Sequence, residues 1–294
     1  AWRISEENFF KNNIGFIDYL KLRGSVGLLG NDAVGGWQWM QRYNLNSGAY
    51  FGSLSNGVSA SVIPNTEITW EKSLDIDYGF DMQILRNRLS LSVGGFYKHT
   101  YDILGDRLAS LPSTFGGTMP KENYATIDTK GFEIELSYKD KIGDDFSYNI
   151  SGNLGYAVNE LITKDEAENI RPYKSELGYN TDRQMGYVAT DIIRTQTELD
   201  ALPEGYTIFG KKPELGMLNY KDIRGANSDE PDGKIDSNDQ EWVIKHTKSP
   251  INYGFSVGGS WKGLSVDLFF QGVAGGKRFY DKRIESVSYT HLTL

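Results

Sequence analysis

The chain has 294 residues, 31 basic and 39 acidic, for a formal charge of -8, and it has no cysteine. The acidic balance excludes a sequence-independent grip on nucleic acid, which needs a basic face. The lack of cysteine excludes disulfides and zinc–thiolate sites. Mean hydropathy is -0.46, and no run of about 18 apolar residues exists, so a transmembrane helix is excluded. A membrane barrel is not, because its strands need only every second residue apolar.

The opening AWRISEENFF has no basic region followed by an apolar core, so it is not a signal peptide. A weaker strand is expected over Leu20–Leu29. GNDAVGGWQWM then reads as a loop, and its Trp37 and Trp39 are candidate platforms for sugar rings. Interfacial anchoring or loop packing is the alternative for both.

From Ser73 to Gln83 the pattern is strict. Leu74, Ile76, Tyr78, Phe80 and Met82 alternate with Ser73, Asp75, Asp77, Gly79, Asp81 and Gln83. Period two predicts a strand with one greasy and one wet face. The same alternation covers Leu89–Tyr97, Phe132–Lys139, Phe146–Asn159, Ile251–Trp261 and Leu264–Gln271, where Phe269 breaks it. The strands read as roughly 10 residues each, against a usual 5–6, and about 9–11 tilted residues cross a bilayer.

The links alternate in length. Ile84–Asn87, KDKIGDD and Lys262-Gly263 are short; those from about His99 to Lys130 and from about Glu160 to Pro250 are long. A membrane barrel has short periplasmic turns and long outer loops in that order. Tyr97, Tyr138, Tyr156 and Trp261 fall near the expected strand ends, where an interfacial girdle sits. These features favour an antiparallel transmembrane β-barrel over a soluble β-sandwich. In that reading the Leu74–Met82 face meets lipid and the Asp75–Asp81 face lines a wet interior.

Between Glu160 and Thr247 the alternation stops. An outer loop with its own local structure is expected, with a short helix near Glu198–Leu202. Its sharpest motif, DGKIDSND, matches the second half of a calcium loop. Gly233 takes the sharp turn, Lys234 offers a carbonyl, and Glu230, Asp232, Asp236 and Asp239 are the candidate ligands. Ser228 stands where the first Asp belongs. The alternative is an Asp/Gly-rich turn capped by its own carboxylates, without metal.

GFSVG, residues 254–258, matches G-x-S-x-G, but Ser256 lies inside an alternating strand and not on a strand-to-helix elbow. Glu133 and Glu135 share a strand face and read as solvated. His99, His246 and His291 have no ligand-spaced partners. No catalytic residue is assigned.

Several landmarks together resemble a known family. LKLRGSVGLLGND (Leu20–Asp32) is similar to its strand-and-GN landmark. IPNTEITWEKS (Ile63–Ser73) resembles N-P-x-L-x-W-E-K-T, with Trp70, Glu71 and Lys72 intact. RNRLSLSVGGFYKHTYDIL resembles the following hairpin strand, and IDTKGFEIELSY the N-K-G-x-E element, with Asp128-Thr129 where Asn is usual. PELGMLNYKDI followed by DGKIDSNDQ resembles P-G-x-x-K-Y-x-D-x-N-G-D-G-x-I-D-x-x-D, stretched here by RGANSDEP. In order, these landmarks are similar to the C-terminal barrel part of SusC/RagA-type TonB-linked outer-membrane proteins of Bacteroidetes.

The resemblance implies part of a 22-stranded barrel in the outer membrane of a Gram-negative cell, over residues 1–280, with a long extracellular loop at about 160–250. It implies import of oligosaccharides or oligopeptides, powered through TonB, with a SusD-like surface lipoprotein as lid. The plug, TonB box and leader would lie outside this stretch. Residues 281–294, ending in SVSYTHLTL, are expected to be a non-native or truncated tail. The rival readings are a siderophore- or cobalamin-type TonB receptor, a passive barrel, and a soluble carbohydrate-binding β-sandwich.

Overall fold

Two-residue alternation needs an extended backbone with a ladder on each side, and one large sheet provides it. The structure is a computed structural model and describes residues 1–50, 52–60, 63–107 and 119–279. Its strands are β1 (Ile17–Asn31), β2 (Tyr43–Tyr50), β3 (Leu54–Ala60), β4 (Glu71–Ile84), β5 (Leu89–Asp106), β6 (Lys121–Ile142), β7 (Phe146–Thr163), β8 (Gln184–Gly186), β9 (Ala189–Ile192), β10 (Thr207–Ile208), β11 (Leu218–Tyr220), β12 (Lys234–Ile235), β13 (Glu241–Ile244), β14 (Ile251–Trp261) and β15 (Leu264–Ala274). The helices are short: α1 (Asn8–Lys11) and α2 (Gln196–Asp200). None among the described residues is long and apolar enough to cross a membrane. The chain divides into two compact units, residues Ala1–Thr181 with Pro250–Ala274, and Asp182–Ser249 with the residues from Gly275.

The first unit holds a seven-stranded sheet in the order β1-β4-β5-β6-β7-β14-β15. Every neighbouring pair is antiparallel. Register carries one parity through all seven strands. Leu20, Met82, Leu91, Leu136, Gly152, Phe255 and Phe270 form one row of cross-strand partners. The next row is Lys21, Asp81, Ser92, Glu135, Asn153, Gly254 and Gln271. A slip of one residue in any pairing would invert this sorting, so the pattern and the register specify each other.

The rival reading of a soluble β-sandwich does not hold here, and the expected barrel-type sheet does. A sandwich buries one face of each sheet under a second sheet. Every other sheet among the described residues has two strands, while Leu136, Phe255, Leu268 and Phe270 on the greasy face stay exposed. Soluble monomers keep such patches to a few hundred Å²; an apolar face seven strands wide suits lipid.

The strands also run longer than the expected ten residues. β5 has 18, β6 has 22 and β7 has 18. KDKI, read as link, is the end of β6, and the turn shrinks to residues 143–145. At the other end β5 and β6 continue through much of the expected His99–Lys130 link. Period alone misses these ends because the greasy parity turns polar there. Leu74, His99, Asp128 and Glu160 form one row, in which His99 Nδ1 lies 2.6 Å from Asp128 Oδ1 and Tyr97 donates its hydroxyl to Asp128 Oδ2 at 2.7 Å. Below that row, Leu74 to Ile84 covers roughly 34 Å of strand, or about 25 Å of height at a barrel tilt near 45°. That matches the apolar band of an outer-membrane barrel. Aromatic neighbours line its hairpin edge, Tyr138, Tyr148 and Phe146 at 6.0 and 6.1 Å, while Phe132 and Tyr156, 5.7 Å apart, lie within it on the row of Tyr78. Strand extension moves Tyr97 and Tyr156 away from the strand ends expected for them.

The second unit, expected as local structure within a loop, has its own small core. Ile193, Tyr206, Ile208 and Ile235 are buried, with Leu199, Leu202, Tyr187 and Tyr220 against them. The short strands pair as β8 with β13 and β9 with β11, antiparallel, and β10 with β12, parallel. α2 begins two residues before the expected helix start because Thr195 caps it: Thr195 Oγ1 accepts the Glu198 N–H, and Glu198 reaches back to the Thr195 N–H. The expected tail, 281–294, lies outside the described residues.

Candidate functional site

The wet face of the sheet is built from short polar side chains that β1, β4 and β5 bring to the same height. Ser25 donates to Asp77 Oδ2 at 3.1 Å. Arg23 Nη2 donates to Ser92 Oγ at 3.2 Å, and Ser92 donates to Asp81 Oδ1 at 2.8 Å. The Arg23 side chain reaches β5 by crossing β4 at Gly79. A Cβ on Gly79 would meet Arg23 Nε at 3.1 Å and the Val93 carbonyl at 2.4 Å, so glycine makes the crossing possible. Half-exposed pairs of this kind contribute ~0–1 kcal/mol each; their main effect is to present fixed donors and acceptors.

Farther across the sheet these groups border a hollow of about 830 Å³. Its walls include Arg23, Ser92, Glu133, Glu135, Asn153, Asn252 and Gln271, together with Phe269. The phenylalanine that broke the alternation therefore sits on the wet side, opposite Ser256. Ser256 itself shares a 2.7 Å hydrogen bond with Ser151 across β7 and β14 and is followed by more strand. The nucleophile-elbow pattern is therefore a coincidence of strand glycines. Such a wall, with both signs of charge and several amides, suits a hydrated solute in passage.

A second, smaller cleft of about 230 Å³ lies in the same unit, between the segment after β1 and the start of β6. Trp37, Met40, Ile63, Met119 and Pro120 form its apolar wall, and Arg42, Asp106 and Lys121 its charged rim. Asn65 holds the parts together. Its N–H donates to the Gln38 carbonyl at 3.0 Å, its Nδ2 to the Lys121 carbonyl at 2.8 Å, and its Oδ1 accepts the Glu67 N–H at 2.9 Å. Sequence reasoning missed Asn65. The signal available was the Pro64-Asn65-Thr66-Glu67 turn chemistry, in which an Asn side chain bonds the backbone two residues on. Both tryptophans singled out are exposed; Trp37 lines this cleft and Trp39 lies outside it.

The acidic motif organises backbone. Asp239 is fully buried. Its Oδ1 accepts the N–H groups of Ile223 and Arg224 at 2.8 and 3.1 Å, and its Oδ2 that of Asp236 at 2.9 Å. Asp222 accepts from Asp232 and Gly233 at 3.3 and 2.7 Å. Asp232 accepts the Lys234 N–H, and Asp236 the Asn238 N–H. Glu230 is exposed, and its carbonyl accepts the Gly225 N–H. No three acidic or histidine side chains among the described residues are placed to hold a metal ion. As placed, the carboxylates of Asp232, Asp236 and Asp239 are turned to backbone amides, the arrangement of the capped-turn alternative. The two halves of the motif instead clip each other across the RGANSDEP insert.

The landmark glycine and tryptophan of the sequence also meet. Gly30 and Asn31 pair with Lys72 and Glu71, and Asn31 Nδ2 donates to Glu71 at 3.1 Å. Glu71 also accepts the Leu104 N–H at 3.2 Å, and Lys72 bonds Asp102 at 2.8 Å. Asp102 has φ 55° and lies in the β5 irregularity between Thr100 and Ile103. GN and WEK are thus one cross-strand unit that pins a bulge.

The family model for the TonB dependent receptor-like β-barrel matches residues 12–281. The chain belongs to that family. TonB-dependent receptor P39 of Formosa agariphila is 25% identical over 92% of the chain, and TonB-dependent receptor SusC of Bacteroides thetaiotaomicron 24% over 96%. The chain spans 28% and 27% of those proteins. Among solved structures, the RagAB peptide importer matches in its open-open state with TM-score 0.71 and in its closed-closed state with 0.69. Identities are 21% and 22%, over 94% of this chain and 28% of the matched one. At that identity the likeness is one of fold. The receptor-barrel family is an outer-membrane one, and the greasy face of the sheet has the character of a lipid-facing surface.

Proposed function

We propose that this chain forms part of the wall of an outer-membrane active transporter of SusC/RagA type. It imports oligosaccharides or oligopeptides, depends on TonB, and works with a SusD-like surface lipoprotein. The observation that carries this reading is the unbroken parity of the seven-stranded sheet, with lipid-suited residues on one face and a polar wall with a solute-sized hollow on the other. Family membership and the fold shared with the RagAB importer support it. In this reading passage is gated: outer loops and the lid bind substrate, and movement of a plug opens the path. The chain's own residues bind and guide; none acts as a catalyst.

The test is uptake by cells carrying the intact receptor, with fluorescent maltohexaose and a fluorescent pentapeptide as probes. Accumulation of one of them should be abolished by deleting TonB and reduced by deleting the surface lipoprotein. Uptake that survives without TonB would overturn the active-transport reading and favour a passive barrel.

A further inference from the structure

We propose that the Trp37 cleft receives one apolar side chain of an oligopeptide that carries charges of both signs. This rests on the import reading above and narrows its substrate class. At about 230 Å³ the cleft falls below the roughly 300–1,000 Å³ of a pocket that takes a whole ligand, so its occupant is a single side chain of something larger. The wall is an indole, two thioether chains, an isoleucine and a proline. Sugar hydroxyls placed against Met40, Met119 and Ile63 would lose water without gaining partners, which disfavours them. A leucine- or phenylalanine-sized group loses nothing there and gains burial.

The rim supplies the second observation. Arg42, Lys121 and Asp106 all border the cleft, and none forms an ion pair among the described residues. Two cations and one anion around an apolar slot complement a peptide whose apolar residue has a carboxylate on one side and an ammonium on the other. The slot is built: Asn65 bonds the Trp37–Gln38 turn on one side and the Lys121 backbone on the other. Trp37 has φ 66°, a conformation that aims the indole from a turn and that glycine adopts without strain.

The experiment measures binding to the intact receptor in detergent. The probes are the pentapeptide Ala-Lys-Leu-Glu-Ala, its serine counterpart Ala-Lys-Ser-Glu-Ala, and maltohexaose. The leucine peptide should bind about tenfold or more tighter than the serine peptide, as burial of one such side chain implies. Trp37→Gly should erase that difference, and Trp39→Gly should leave it. Equal binding of the two peptides, or a Trp37→Gly receptor that keeps the preference, overturns the cleft and leaves TonB-dependent import standing. Binding of maltohexaose with neither peptide overturns the peptide assignment while supporting a glycan importer. Loss of folding is checked by an unchanged melting temperature of Trp37→Gly; if it falls, Met119→Asp is the second variant, expected to weaken the leucine peptide alone.

Discussion

Trp70 closes over Gly30: a Cβ built on the glycine would lie 2.8 Å from Cε3 of the indole. The two residues are 40 positions apart in sequence and meet because β1 and β4 pair in a register that sets Gly30 opposite Lys72. Gly30→Ala should push the indole aside and destabilise the receptor by about 1 kcal/mol, within the usual range for overpacking. The check is tryptophan emission and thermal melting of the detergent-solubilised receptor. The emission change should vanish in a Trp70→Phe background; a change that persists there would mean another tryptophan reports it.

The lipid face and the wet face respond oppositely to charge. Leu136→Arg, on the Met82 row toward the hairpin side of the apolar band, should weaken membrane insertion by ~1–2 kcal/mol, between the cost of arginine at the bilayer midplane and that near an interface. Ser137→Arg, one residue on, points to the wet side and should insert normally. Outer-membrane fractionation and heat-modifiable mobility read the difference. Equal insertion of both variants would sink the assignment of faces.

The β4–β5 turn carries backbone strain. Leu85, Arg86 and Asn87 have φ 58°, 59° and 62°, a left-handed run that disfavours side chains by ~1–2 kcal/mol per residue. Leu85→Gly should be neutral or stabilising in a melt. Leu85→Val, β-branched, should lower stability by about 1 kcal/mol or more. A destabilised glycine variant would show that the leucine side chain matters more than its backbone.

Asp239 is the clip of the second unit. Its removal strands three amide donors in a buried site, at about 1–3 kcal/mol for each group left unsatisfied. Asp239→Ala should therefore open residues 182–249 to limited proteolysis, and Asp239→Asn should do so less, since one oxygen remains. Because the carboxylates face amides, a chelator should leave the melting temperature unchanged. A drop on chelation, reversed by Ca²⁺, would support the metal reading for Glu230, Asp232, Asp236 and Asp239.

Tyr206 gives the same unit a pH limit. Burial first, and then the charges of Asp222 and Asp239, raise its phenol above the ordinary value. The neutral form is thus favoured in the folded state. Its contribution is whole below the unfolded value near 10 and is lost as pH rises through the higher folded value. Protease sensitivity of residues 182–249 should rise steeply above about pH 10. Tyr206→Phe should remove that rise while losing the 2.8 Å bond to Asn219, at about 1 kcal/mol near neutrality.

Much of the barrel sheet was legible in the chain itself, because strand periodicity is local. Leu74, Ile76, Tyr78, Phe80 and Met82 declare a face without reference to any other segment, and so do their counterparts on β5–β7, β14 and β15. Local chemistry also placed the Lys262-Gly263 turn and the region of α2. Tertiary structure decided what depends on residues far apart in the chain: that the greasy parity of one strand lies beside that of the next, that Trp70 needs a glycine at position 30, and that Asp239 serves Arg224. It also decided that Asn65 builds a cleft around Trp37 and not Trp39. Side-chain period is fixed by the geometry of one strand; register, clip and cleft come from contacts whose partners no short window contains.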